Sequence, residues 1–270
     1  MKKRILVAVI CVPLLLAVIL CLPPIGFTVL LMALCAIGAW ELMHPTGLVS
    51  NRWMLGCAMV MAALVPLWSY FGSGQLPMLA GLTVFSLCIF GGMLKFHATV
   101  TAQGMCSTFF AGVVMPYFFS ALVRLLVQED GRFLILVPIL IAFIADGGAY
   151  FAGRAFGKHK LAPVVSPKKT VEGLIGGYIC AIAGMMIYCL VVNKCFDRDV
   201  SYVSGLVCAA VGASVSVVGD LVFSVIKRQT GIKDYGKLLP GHGGVMDRFD
   251  SMITTAPAVE VIVLLLPLLG

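Results

Sequence analysis

Ionisable residues near the C-terminal end of the chain are the first candidates for chemistry. Residues 219–251 hold four of the twelve acidic residues of a sequence that is 61% hydrophobic: Asp220, Asp234, Asp247 and Asp250. An ionisable side chain near the centre of a membrane helix costs at least ~2.5–3.5 kcal/mol, so such residues are functional candidates by default. Asp146, within the apolar sequence IAFIADGGAYF, is a further candidate of this kind.

Polar residues between 216 and 227 are spaced to share one face of a helix. Ser216, Asp220, Ser224 and Lys227 follow one another at intervals of four, four and three residues. Hydrogen bonds between helices would explain the serines equally well. The aspartate favours a hard divalent cation, because Mg²⁺ is usually held by one or two protein carboxylates together with phosphate oxygens.

Two loops rich in basic residues flank these acids. The first contains Lys158, His159, Lys160, Ser166, Lys168, Lys169 and Thr170, and Glu172 follows where a helix is expected to begin. Hydroxyl groups, ammonium groups and free amides at a helix N-terminus all bind phosphate. The P-loop pattern GxxxxGK[ST] is absent, and the charges of Lys158 and Lys160 could equally serve membrane topology.

The second loop, residues 233–248, combines glycines with one histidine. Its glycines allow backbone amides to approach a ligand closely, and His242 could donate to a phosphate or transfer a proton. Carboxylates, ammonium groups and glycine-rich backbone together predict phosphoryl or nucleotidyl transfer. The residues alone leave the substrate open.

The composition predicts an all-α, polytopic integral membrane protein. Only 11% of the 270 residues are charged, whereas soluble domains average about 25%. A bilayer core of ~30 Å requires about 20 apolar helical residues. Nine segments meet this requirement: 5–22, 25–41, 53–70, 76–94, 107–127, 133–151, 173–192, 200–226 and 251–269.

The distribution of basic residues predicts the orientation in the membrane. With a cytoplasmic N-terminus and nine crossings, fifteen of the nineteen basic residues fall on the cytoplasmic side. The net charge of +7 is therefore assigned to topology, not to nucleic-acid binding. All the candidate acids and both loops then lie on the cytoplasmic side of the membrane.

Polar residues are concentrated in the second half of the chain, and cysteines are scattered throughout. We predict a transmembrane scaffold over 1–125 and a catalytic bundle over 126–270, with cytoplasmic loops at 152–172 and 227–250. The first 125 residues contain a single acid, Glu41. The ten cysteines lack the spacing of metal or disulfide sites.

A long motif in the second half of the chain resembles that of bacterial phosphatidate cytidylyltransferases, also called CDP-diacylglycerol synthases. It reads Ser224-x-x-Lys227-Arg228-x4-Lys233-Asp234, followed by Pro240-Gly-His-Gly-Gly-x-x-Asp247-Arg248-x-Asp250. The sequences DGGAYFAGRAFGKHKL and SPKKTVEG, between 146 and 173, are similar to the same family. Gly147 departs from it, because Ser or Thr often follows the aspartate there, and this weakens the case for a hydroxyl ligand at 147.

The resemblance implies a reaction in which CTP and phosphatidate give CDP-diacylglycerol and pyrophosphate with Mg²⁺. It implies metal binding by Asp220 and Asp247, supported by Asp146 and Asp250. It implies a catalytic centre that also contains Lys227, Arg248 and His242. The remaining substrate-binding positions would be Ser166, Lys168, Lys169, Thr170, Glu172, Ser224, Arg228, Lys233 and Asp234.

Other functions and features stay open at this point. A secondary transporter also carries acids within the membrane, though usually near the midplane. A CTP-dependent polyprenol or lipid kinase would share the nucleotide and the metal but release CDP. A second, monovalent cation is compatible with the sequence, as is a homodimer surrounded by membrane lipid, although no strong GxxxG face specifies dimerisation.

Overall fold

The described part of the chain is mainly α-helical, which confirms the predicted all-α class. The structure is a computed structural model that describes residues 13–72, 75–238 and 243–270. Its helices are α1 (13–21), α2 (Pro24–Met43), α3 (Arg52–Phe71), α4 (Gln75–Lys95), α5 (Ala102–Phe109), α6 (Met115–Phe119), α7 (Ala121–Leu126), α8 (Gly131–Leu134), α9 (Leu136–Phe156), α10 (Val171–Phe196), α11 (Tyr202–Gln229) and α12 (Met246–Leu265).

Within the described residues, seven helical stretches are long and apolar enough to cross a membrane, which indicates a membrane protein. They are Pro24–Met43, Arg52–Phe71, Leu76–Lys95, Ala102–Leu126, Gly131–Phe156, Val171–Phe196 and Tyr202–Gln229. Each coincides with one predicted segment. The predicted segment 5–22 begins outside the described residues, and 251–269 lies mostly in α12, which is not among the seven. The total of nine crossings therefore stays a prediction.

Two local features depart from the predicted run of simple helices. The predicted segment 107–127 is interrupted: a π-helical turn, Phe110–Val114, separates α5 from α6. In the first basic loop, β1 (Lys160–Ala162) pairs antiparallel with β2 (Ser166–Thr170). This small hairpin gives the loop a fixed backbone, which a charge-rich sequence did not predict.

The chain divides into two compact units. The first comprises the residues up to Val127 together with Lys227–Phe249, and the second comprises Gln128–Ile226 with Asp250–Gly270. Most of the second basic loop thus belongs with the N-terminal helices. In the first unit α2 packs along α3, and the side chain of Asn51 caps α3 by accepting hydrogen bonds from the N–H groups of Trp53 and Met54.

In the second unit, α9 and α10 pack closely through small residues. A methyl group on Gly176 would overlap the Cβ atom of Ala152, and one on Gly177 would lie 2.8 Å from the carbonyl oxygen of Ala145. Small residues allow this approach, which is a common basis of helix association in membranes. The close contact sets the position of the hairpin that joins the two helices.

Candidate active site

The hairpin between α9 and α10 carries several predicted phosphate-binding residues. Ser166, Lys168, Lys169 and Thr170 all lie on β2. Thr170 ends the strand and caps α10, because its Oγ1 accepts a hydrogen bond from the N–H of Gly173 at 3.1 Å. Lys168 and Lys169 therefore lie immediately before the N-terminus of α10.

Glu172 uses its carboxylate within the protein. It accepts hydrogen bonds from the backbone N–H groups of Lys158, at 3.0 Å, and His159, at 3.2 Å. It also pairs with Nδ1 of His159 at 2.6 Å. These contacts hold the start of the loop against the first turn of α10. The carboxylate of Glu172 therefore stabilises the loop, and its negative charge is unsuited to direct contact with an anionic substrate.

A cavity of about 350 Å³ lies between α9, α10, α11 and the hairpin. Two carboxylates, those of Asp146 and Asp220, line it. Its cationic residues are Arg154, Lys168 and Lys169, and its tyrosines are Tyr150 and Tyr178. Alanine, glycine, leucine and valine side chains form most of the remaining wall. We refer to it as the carboxylate–lysine cavity.

Within this cavity, Asp220 is paired with Lys169. The ammonium Nζ of Lys169 lies 2.5 Å from Oδ2 of Asp220, and each side chain is 25% exposed. Ser224, one turn further along α11, donates a hydrogen bond to Oδ1 of Asp220 at 3.2 Å. The predicted polar face of α11 is therefore present at these positions, and its ion pair remains accessible to a ligand.

Ser251 links two further predicted carboxylates. Its hydroxyl donates to Oδ2 of Asp146 at 3.2 Å, and its backbone N–H donates to Oδ1 of Asp250 at 2.9 Å. In the same region, a methyl group on Gly219 would lie 2.9 Å from the carbonyl oxygen of Asp250. The structure thus brings Asp146 and Asp250 to one serine, next to the turn of α11 that carries Asp220.

The acids of this region suit a divalent cation that also binds substrate. Among the described residues, no three histidine, cysteine or acidic side chains cluster tightly enough to hold a metal ion alone. Mg²⁺ does not require such a cage, since it commonly takes one or two carboxylates and completes its shell with phosphate oxygens and water. Asp146 and Asp220, lining one cavity beside three cations, match that pattern.

Asp247 has a different environment, in the first unit. Its Oδ1 accepts from Nζ of Lys227 at 2.9 Å, and its Oδ2 accepts from the backbone N–H groups of Tyr235, at 2.7 Å, and Gly244, at 3.0 Å. The side chain is 3% exposed, and that of Lys227 is 11% exposed. Both carboxylate oxygens are thus engaged by the protein.

Glu41 belongs to the same region and was not predicted. It is 1% exposed, and its carboxylate accepts hydrogen bonds from the N–H groups of Val245, at 3.1 Å, and Met246, at 2.9 Å. We call Glu41, Lys227, Tyr235, Gly244 and Asp247 the buried carboxylate cluster. The available signal was that Glu41 is the single acid of the first 125 residues and lies in an apolar helix.

Other predicted residues lie at the surface or outside the described residues. Arg228, Lys233, Asp234 and Arg248 are exposed. His242 lies in 239–242, outside the described residues. Besides Glu41, the sequence prediction omitted Arg154, Tyr150, Tyr178 and Ser251. The phenol hydroxyl of Tyr178 is hydrogen-bonded to the hydroxyl of Ser214. Tyrosines and a serine in apolar helices carry no distinctive spacing, so nothing in the sequence singled them out.

Comparison with known proteins supplies the family. The model of the Cytidylyltransferase family matches residues 2–266 of the chain. The chain belongs to this family. A phosphatidate cytidylyltransferase from Haemophilus influenzae is 30% identical over 280 residues, covering 95% of this chain and 96% of the relative. One from Staphylococcus haemolyticus is 36% identical over 170 residues, covering 63% and 62%. The predicted resemblance is confirmed, and the protein is a nucleotidyltransferase.

Proposed function

We propose that the protein transfers the cytidylyl group of CTP to phosphatidate, giving CDP-diacylglycerol and pyrophosphate for phospholipid synthesis. The names of both relatives support this reaction. The structural observation that carries the proposal is the carboxylate–lysine cavity, which combines two acids with three cations. An acid alone would repel a polyphosphate, and lysines alone would not hold a metal. Their combination suits a metal–nucleotide substrate.

The bond changes in this reaction are simple. An oxygen of the phosphatidate phosphate attacks the α-phosphorus of CTP, forming a new P–O bond. The bond from the α-phosphorus to the bridging oxygen breaks, and pyrophosphate leaves with that electron pair. The nucleophile is already an anion at neutral pH, so no strong general base is required. The protein must mainly align two anions that repel each other.

The cationic side chains are assigned to this alignment. Lys168, Lys169 and Arg154 would bind phosphate oxygens of the two substrates, because ammonium and guanidinium groups form charge-assisted hydrogen bonds with phosphate. Lys169 would exchange its bond with Asp220 for one with substrate. Ser224 keeps the Asp220 carboxylate oriented through its hydrogen bond.

We assign Mg²⁺ binding to Asp146 and Asp220, with Asp250 as a neighbour linked through Ser251. When bound, Mg²⁺ would polarise the phosphoryl oxygens and stabilise the leaving pyrophosphate. Asp247 was predicted to bind metal as well. Since both of its oxygens already accept hydrogen bonds within the protein, we propose a positioning role for it instead.

The substrates suggest the location of the site. Phosphatidate keeps its acyl chains in the lipid and its phosphate at the interface, while CTP arrives from the cytoplasm. The excess of basic residues on one side of the predicted topology supports a cytoplasmic orientation in the bacterial inner membrane. Cysteines introduced one at a time at 160 and at 194, in a variant whose ten native cysteines are replaced, would test this orientation when labelled from each side of sealed vesicles.

The test of the proposed function is an assay of the purified protein with CTP, phosphatidate and Mg²⁺. We expect CTP-dependent release of pyrophosphate with equimolar formation of a cytidine-containing lipid. Release of CDP instead would identify a CTP-dependent lipid kinase. Solute flux into liposomes without CTP consumption would identify a transporter. Omitting Mg²⁺, or adding a chelator, should abolish turnover and so tests the metal assignment separately.

A further inference from the structure

The carboxylate of Glu41 forms a long-range anchor in the first unit. It lies in the last turn of α2 and accepts from the N–H groups of Val245 and Met246, which are 204 and 205 residues away in sequence. Met246 is the first residue of α12. Free N–H groups at a helix N-terminus carry partial positive charge, so a carboxylate there caps the helix and stabilises it electrostatically.

Two glycines leave the room that this carboxylate occupies. A methyl group on Gly244 or on Gly236 would overlap the carboxylate of Glu41. The Cβ position of Gly236 also lies 3.0 Å from Cα of Gly244, so the two backbone segments touch. The buried carboxylate of Glu41 therefore fits only because neither Gly236 nor Gly244 has a side chain.

Gly244 connects the anchor to the charged pair of the cluster. Its backbone packs against Glu41, while its N–H donates to Oδ2 of Asp247 at 3.0 Å. Asp247 in turn holds Lys227, whose ammonium group lies 5.2 Å from the centre of the buried Tyr235 ring. A displacement of the Val245–Met246 backbone would therefore move the partners of Asp247 and Lys227.

We propose that Glu41 is a positioning residue of the enzyme: it holds the N-terminus of α12 and thereby fixes Asp247 and Lys227, both part of the motif shared with the family. The proposal deepens the proposed function and rests on it for its kinetic consequence. It gives the N-terminal part of the chain, predicted to be scaffold, a direct part in ordering the motif.

The first test measures amide hydrogen exchange of the purified full-length protein in lipid nanodiscs. Glu41→Gln keeps one acceptor oxygen, whereas Glu41→Leu fills a similar volume without any acceptor. In peptides covering 243–248 we expect amide exchange to be slowest in wild type, faster in Glu41→Gln and fastest in Glu41→Leu. Thr108→Val is the control, because Thr108 is also buried and its hydroxyl donates to the carbonyl oxygen of Gly104 in its own helix.

A second variant approaches the anchor from the other side. Gly244→Ala should push the Glu41 carboxylate away and reproduce the faster exchange. Gly56→Ala is its matched control, since a methyl group there would meet no atom within 4 Å. This pair decides the question even if Glu41→Leu does not fold. Wild-type exchange at 243–248 in both Glu41→Gln and Gly244→Ala would overturn the proposal.

The kinetic test compares turnover per folded protein. We expect kcat for pyrophosphate release to fall roughly 10- to 100-fold in Glu41→Leu, as for misplaced catalytic groups, and less in Glu41→Gln. KM for CTP should change by less than about twofold, because the lost contacts are all within the protein. A role in packing alone predicts an active Leu variant, and wild-type kcat there would overturn the positioning role. If wild-type protein released no pyrophosphate, the proposed function would fail, while the exchange test would still decide the anchor.

Discussion

The two units of this enzyme each contain an aspartate–lysine pair, and the pairs differ in what surrounds them. Asp220 and Lys169 are each one-quarter exposed and line a cavity. Asp247 and Lys227 are 3% and 11% exposed, and both oxygens of Asp247 are engaged by the protein. The Asp220–Lys169 pair is accessible to a ligand and can exchange partners with it, whereas the Asp247–Lys227 pair is buried and bonded within the protein.

This difference separates two uses of the same residue types. Partly exposed ion pairs contribute little to stability, typically about 0–1 kcal/mol, so the Asp220–Lys169 pair costs little to open for substrate. Removing one partner of a buried pair leaves an uncompensated charge and is strongly destabilising. We therefore expect changes at Asp220 to affect chemistry, and changes at Asp247 to affect folding as well.

The largest effect should follow Asp247→Asn. The substitution removes the carboxylate charge of Asp247 from the buried ammonium group of Lys227, so we expect a loss of about 3–5 kcal/mol in the free energy of unfolding. Thermal unfolding in detergent would measure it as a lower midpoint. Asp234→Asn, at an exposed carboxylate in the same segment, serves as the control. An Asp247→Asn protein as stable as wild type would remove the contrast between the pairs.

Asp220→Asn should act on turnover with little effect on stability. If Asp220 binds Mg²⁺ as proposed, loss of its carboxylate removes several kcal/mol of transition-state stabilisation, which corresponds to at least roughly a 100-fold lower rate. The stability should change by less than about 1 kcal/mol. Transfer of label from CTP to lipid, measured across a Mg²⁺ titration, tests the first expectation. Near-normal turnover would contradict the metal assignment.

Gly176→Ala should destabilise the packing of α9 against α10, the two helices that form part of the wall of the carboxylate–lysine cavity. The added methyl group would overlap Ala152 across the α9–α10 contact, and overpacking of this kind costs typically about 1–3 kcal/mol. Gly147→Ala lies on α9 with no atom within 4 Å of the added methyl, so its unfolding midpoint should stay at or above that of wild type. Equal midpoints for the two variants would refute the close contact.

The change in stability should again be small for Lys169→Met. We expect less than about 1 kcal/mol, because the ion pair is partly exposed. A lost charge-assisted hydrogen bond to phosphate is worth about 1.5–3 kcal/mol, so KM for CTP should rise roughly tenfold or more. Lys194→Met, in the last turn of α10, is the control. Unchanged KM in Lys169→Met would exclude Lys169 from substrate binding.

The helices, and several residues that line the carboxylate–lysine cavity, could be predicted from local sequence. Apolar runs of about 20 residues specify membrane helices almost alone, because every backbone group in lipid must be bonded within the segment. The motif placed Ser224 and Lys227 near the end of one helix and Asp247 at the start of the next, and the spacing of four placed Asp220 on the same helix face as Ser224. Their pairing could not be predicted, because it depends on which lysine each aspartate meets in three dimensions.

Glu41 shows most clearly why local reasoning was incomplete. Its partners are backbone N–H groups about 200 residues away, and backbone groups leave no trace in side-chain spacing. The same physical rule that selected Asp146 and Asp220, the cost of an ionisable group in an apolar helix, applied equally to Glu41.

The distance in sequence between Glu41 and its partners also bears on biosynthesis. Chains are made at about 5–20 residues per second, so Glu41 emerges roughly 10–40 seconds before Val245 and Met246. During that interval α2 must enter the membrane with an acid that lacks these two partners. Glu41 is the third residue from the C-terminal end of α2, which the predicted topology places at the cytoplasmic interface. We therefore expect its side chain to reach interfacial water until α12 is synthesised. An acid placed two turns earlier in the same helix would have no access to interfacial water during this interval.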